Sequence, residues 1–125
     1  MRNPSNPHTT KHNIDIDDAL LNDLKRLGIV ETQYDLSRLC GKNISYYSSM
    51  RAKGYGLKVG SLTFMSIRLR KRMDEIKDAR VSAVLTHADR LVQRAIEEKC
   101  RLRELELRYP VNSTRRSLYN QGSDQ

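Results

Sequence analysis

Hydroxyl and carboxamide side chains crowd one short stretch, "NISYYSSMR", residues 43–51. Groups of this kind offer hydrogen bonds, and no acid, histidine or cysteine stands among them to activate a nucleophile. The rest of the chain supplies no catalytic set either. Its histidines stand at 8, 12 and 87. His8 and His12 have a helical metal-ligand spacing, but Pro7 and the missing third ligand argue against a metal site. Cys40 and Cys100 form no CxxC pair. Each falls at an apolar helical position, where cysteine acts as a small hydrophobe. With no glycine-rich phosphate loop and no paired carboxylates, the expectation is a non-enzyme with no metal, no cofactor and no small-molecule ligand.

Helices must position that stretch. "DIDDALLNDLKRLGIV" places Ile16, Ala19, Leu20, Leu24 and Leu27 on one stripe from Ile14 onward, with Asp15, Asp17 and Asp18 in the first turn and Gly28 as the stop. Thr32 and Asp35 read as a capping-box start for a helix from Gln33 to Cys40, closed by Gly41. Asn43 then caps a helix over Ile44 to Lys53 that buries Ile44, Tyr47 and Met50. Ser45, Tyr46, Ser48, Ser49 and Arg51 are left outward. After the glycine loop "GYGLKVG", Ser61 caps a fourth helix with Leu62, Met65, Leu69 and Met73 inward beside Phe64 and Ile67.

From about Ala79 a seven-residue repeat takes over. Val81, Ala88, Ala95 and Leu102 share one position, and Val84, Leu91 and Leu105 lie three further on, with Glu98 interrupting. Leu85 and Val92 widen the seam. The expectation is pairing between two chains as a homodimer; the alternative is a helix folded back on the first four to complete a monomeric core.

Charge is concentrated. The chain of 125 residues carries a net +8, and residues 42–80 alone hold ten basic and three acidic groups. Such a balance favours a polyanionic partner, with nucleic acid ahead of an anionic membrane surface. No apolar run approaches a membrane span, and the start lacks the apolar centre of a signal peptide. A cytoplasmic protein without membrane contact is expected.

Thr32, Gln33, Leu36, Ser37 and Gly41, with "NISYYSSMR" after the turn, resemble the helix-turn-helix of phage-repressor-type (lambda repressor/Cro-like) DNA-binding domains. The flanking helices, 16–27 and 61–77, follow the order of that fold, so the resemblance covers residues 14–78. "GKNISYYSSMRAKG" followed by a helix also resembles small helix-turn-helix proteins of bacteria and their mobile elements. Lys42 replaces the aliphatic residue usual after the turn glycine, and Ile44 is expected to take over its packing. The resemblance implies that Gln33 bonds a phosphate and braces the second helix. Small hydrogen-bonding side chains let a helix approach base edges, which suits Ser45, Tyr46, Ser48 and Ser49. Lys42 and Asn43 at the turn, with Arg51, Lys53 and Lys58 beyond, are expected at phosphates.

The fold class expected is therefore all-α: a four- to five-helix domain with a helix-turn-helix, followed by a long C-terminal helix. Residues 1–13 form a disordered lead, 14–78 the DNA-binding domain, 79–108 the dimerisation helix, and 109–125 a disordered basic tail containing Arg115 and Arg116. The function expected is sequence-specific double-stranded DNA binding by a dimeric transcriptional regulator of a bacterial or mobile-element operon. The alternative is a protein-interaction module, an antiactivator or adaptor, that keeps the fold as a scaffold. RNA binding through stacked tyrosines is a weaker third reading.

Overall fold

The structure, a computed structural model, describes residues 7–108. It comprises α1 (Pro7–Arg26), α2 (Gln33–Leu39), α3 (Tyr46–Ala52), α4 (Val59–Glu75) and α5 (Ala79–Arg108). The architecture is all-helical with the long helix last, as expected. Residues 1–6 of the expected lead and the whole tail, with Arg115 and Arg116, lie outside the described residues.

α1 starts seven residues earlier than Ile14. Proline suits a first helical turn, because its φ is already helical and the amide hydrogen it lacks would have no partner there. The acids at 15, 17 and 18 are consequently not in the first turn. Asp17 and Asp18 have tertiary partners instead, described below. At the far end Gly28 takes φ +78, and Ile29 donates its N–H to the Leu24 carbonyl at 2.9 Å. This closes the helix as the sequence suggests.

α4 and α5 form the main hairpin. The chain turns at Ile76, whose backbone is extended, without glycine or proline. Asp78 then caps α5, its carboxylate accepting the amides of Arg80 at 2.8 Å and Val81 at 3.2 Å. Contacts of Met73 with Thr86, Arg70 with Asp89, and Ser66 with Gln93 show that the two helices run antiparallel. On α4, Leu62, Met65 and Leu69 are buried as expected. Phe64 and Ile67 are not; Ile67 is 57 % exposed. They sit on the opposite side of the helix from that stripe. Ser61 is not the cap of α4, since Lys58 holds that position.

One core joins all five helices. Leu24, Leu36, Leu62, Met65 and Val92 are fully enclosed, and Tyr47 joins them from α3. This corrects the separation of 79–108 from a domain ending at 78. Leu85, Ala88, Val92, Ala95 and Leu102, expected at a seam between two chains, are buried within one. The same small alanines that suit close pairing of two copies let α5 approach its own neighbours. Of the remaining seam residues, Val84 and Leu91 are half-buried, and Val81 and Leu105 are exposed.

Candidate nucleic-acid interface

α2 is short and pinned at both ends. Thr32 Oγ1 accepts the Asp35 amide at 3.3 Å, and the Asp35 carboxylate accepts the Thr32 amide at 3.3 Å, which completes the capping box. At the other end Gly41 takes φ +79 and donates to the Arg38 carbonyl at 2.8 Å. Lys42 donates to the Ser37 carbonyl at 3.0 Å, so the exit is a Schellman turn. A side chain at Gly41 would also strike the Phe64 ring, whose nearest carbon lies 2.6 Å from a Cβ built there.

Ser37 ties α2 to α3. It is fully buried, donates its hydroxyl to the Gln33 carbonyl at 3.1 Å, and accepts the Tyr47 amide at 2.9 Å. The amide lies in the first turn of α3, where it has no helical partner, so one small hydroxyl both permits the close approach and satisfies the donor. Asn43 does not cap α3 directly. Its Oδ1 accepts the Ser45 amide at 3.0 Å and the Ser45 hydroxyl at 2.7 Å, and the helix begins at Tyr46.

That start leaves Tyr47 and Met50 buried as expected and changes the places of Ile44 and Tyr46. Ile44 is 44 % exposed and does not pack behind the turn. Tyr46 takes that place: it is half-buried against the core, its hydroxyl lies 2.8 Å from Ser61 Oγ, and the Lys42 ammonium stands 5.5 Å from its ring centre. Tyr46 is thus joined to α4 and is corrected as an outward, base-facing residue. Arg51 is exposed but committed, with Nε 3.2 Å from Asp18 Oδ1 and Nη2 2.8 Å from Oδ2. Asp18 also accepts the Tyr47 hydroxyl. The Arg51 hydrogen bonds, then that of Tyr47, hold the Asp18 carboxyl below its usual range despite partial burial.

The other expected contacts lie on the surface. Ser45, Ser48, Ser49 and Lys53 are exposed along or beside α3, Lys42 and Asn43 are exposed in the turn, and Gln33 is half-buried at the start of α2. Lys58 shares an open cleft of about 400 Å³ with Lys42, Gly60 and Phe64. Cys40 lines the cleft too, and burial pushes its thiol up to about 12, which disfavours the thiolate. No acidic residue occurs between Leu36 and Met73, a stretch that contains α3, the glycine loop and most of α4. Arg68 adds a guanidinium 5.6 Å from the Phe64 ring centre.

Sequence reasoning missed the polar junction behind this surface. Lys99 on α5 and Asp17 on α1 pair at 2.8 Å with both side chains 4 % exposed. The Asp17 carboxylate accepts the Leu57 amide at 2.6 Å, and the Lys99 ammonium donates to the Leu57 carbonyl at 2.8 Å. Burial pushes Asp17 up and Lys99 down, each opposed by the charge of the other. Gly56 makes room for the junction, since a Cβ there would lie 2.7 Å from Asp17 Oδ2. The signal was present: Lys99 continues the seven-residue series of Leu85 and Val92, a charge inside an apolar stripe.

Among the described residues no group of side chains could hold a metal ion, and no helix is long and apolar enough to cross a membrane. No curated protein and no solved structure matches the chain. A family of unknown function (DUF6626) does match, over residues 18–105, a span that reaches from α1 into α5, and the chain belongs to that family.

Proposed function

We propose that the protein is a cytoplasmic, sequence-specific double-stranded DNA-binding regulator that acts as a dimer, with α3 entering the major groove. The observation that carries this reading is the outer face of α3. Ser45, Ser48 and Ser49 stand exposed beside Lys53, in a stretch without one acidic residue from 36 to 73. Small hydroxyls on an approaching helix suit base edges, and the surrounding cations suit phosphates. Gln33, Lys42, Asn43 and Lys58 complete the phosphate contacts in this reading. Tyr46 and Arg51 contribute by holding α3 in place.

Binding of this kind is salt-dependent. If about six phosphates are neutralised per dimer, log K falls against log salt with a slope of roughly −5 in an anisotropy titration on the duplex upstream of the gene. In the same assay Ser49→Ala shifts the preferred base at one or two positions by about 1–3 kcal/mol, whereas Lys53→Ala weakens all duplexes alike. A flat salt response, or equal affinity for single-stranded RNA, overturns the reading. Phe64 and Ile67, exposed on α4, favour a second reading in which the fold is a scaffold for a protein partner.

A further inference from the structure

Two apolar surfaces on the helices differ in their rims. On α4, Phe64 and Ile67 are exposed beside Arg68 and Lys71, with Lys42 and Lys58 across the cleft. Two copies brought together there would set cations against cations. The groove between α1 and α5 is different. Ile16, Ala19 and Leu91 form its apolar walls around about 230 Å³, while Asp23, Arg94 and Glu98 supply both signs of charge at its edge.

We propose that the α1–α5 groove receives a second copy of the chain, about a two-fold axis that sets the two α5 helices antiparallel. This rests on the reading above that the protein acts as a dimer. A two-fold interface uses one patch twice, so the patch must complement itself. Arg94 and Glu98, four residues apart on α5, meet that condition. In an antiparallel pair crossing near Ile96, Arg94 of each copy faces Glu98 of the other, giving two ion pairs from one contact. Arg94 is exposed, and among the described residues it forms no ion pair. Glu98 lines the groove and is bonded to Arg101 through Oε2, with the charge of His12 also near it.

Length supports the same face. Leu91 lines the groove, and Val84 and Leu105 recur at multiples of seven from it on the same side of α5; with Val81 they are the seam residues the core leaves incompletely covered. From Val84 to Leu105 the helix rises about 32 Å, long enough for a standard interface of about 800 Å² per partner. The apolar seam legible in the sequence is thereby divided, one half closing the monomer and the other meeting the second copy.

Sedimentation of the full chain at tens of micromolar tests this. The wild type is expected to be a dimer. Arg94→Glu and Glu98→Arg each turn two attractions into repulsions and should weaken dimerisation about tenfold or more, the scale of a reversed interfacial pair. The double variant R94E/E98R restores both pairs and should recover the dimer. Positions 94 and 98 lie outside the core, and circular dichroism should show all three variants folded. A monomeric wild type, or a double variant as weak as the singles, overturns the proposal. A monomer that keeps the steep salt dependence on duplex DNA removes the groove dimer and leaves the DNA-contacting face standing. A dimer that obeys the charge swap but binds no duplex does the reverse.

Discussion

The outer face of α4 and the groove between α1 and α5 are both apolar, yet their surroundings give them opposite prospects. Arg68, Lys71, Lys42 and Lys58, which flank Phe64 and Ile67, are all positive, and the first acid on α4, Asp74, lies two turns beyond Ile67. Around Leu91 and Ala19 the edge holds Asp23, Arg94 and Glu98. Apolar area alone would make either face an equally good place to bury against something. The sign pattern separates them: a face of one sign selects a partner of the other sign, and a mixed face can select itself. The difference begins in the primary structure, because the acid-free run from 36 to 73 ends before α5 begins.

The comparison holds only if the two faces belong to one body, and the buried Asp17–Lys99 pair joins them. It links α1 and α5, which form the groove, to the backbone of Leu57, which leads into α4. Lys99→Ala would leave the Asp17 carboxylate enclosed without its counter-charge and the Leu57 carbonyl without its donor. The expected cost is about 3–5 kcal/mol, read from urea denaturation. A loss below about 1 kcal/mol, the range of exposed pairs, would mean that water replaces the ammonium and that the loop is not fixed through this pair.

Much of this arrangement was legible in the sequence where one local rule acted alone. Thr32 with Asp35, Gly28 and Gly41 each announce a helix end through backbone chemistry contained within a few residues, and the structure has those ends. The faces of α3 were harder. The outward place given to Tyr46 and the inward place given to Ile44 followed from starting the helix at 44; the turn at Asn43 delays it to Tyr46. Ile44 then lies outside the helix, and Tyr46 is drawn inward by a bond to Ser61, fifteen residues away, that no local pattern contains. The heptads of α5 were legible as an apolar seam, but periodicity is the same whether a seam faces another chain or its own. Lys99 marks the difference, because its charge is tolerated inside the stripe only with Asp17 from α1 beside it.

Asp18 supplies a smaller and pH-dependent test on the cationic side. It is the acid through which α1 reaches Arg51, and the Arg51 and Tyr47 hydrogen bonds hold its folded value below the ordinary 3.8. A carboxyl depressed on folding stabilises the fold above its unfolded value, and that contribution is lost as the pH falls through the folded one. The wild type should therefore be more stable than Asp18→Asn near neutrality, and the two urea midpoints should converge as the pH drops below about 4. Midpoints that stay parallel through the acid range would show that Asp18 does not hold α3 through its charge.

The smallest expected effect separates folding from binding at a single atom. Gly60 lies in the first turn of α4 without positive φ, and a Cβ built there meets nothing within 4 Å. Neither backbone conformation nor packing requires glycine at this position, unlike Gly41 under Phe64 or Gly56 beside Asp17. Gly60→Ala should accordingly stabilise the fold by about 0.4–1 kcal/mol, by reducing the freedom of the unfolded chain. Yet Gly60 lines the cleft between Lys42 and Lys58, the cations expected at phosphates. If the cationic face takes a DNA backbone at close quarters, the added methyl occupies space the phosphate needs, and duplex affinity should fall while the urea midpoint rises. Opposite signs in the two measurements would assign the glycine to an external partner. A variant that gains stability and keeps full affinity would show that the cleft stands clear of the duplex, and the DNA-contacting surface would contract to α3 and its immediate flanks.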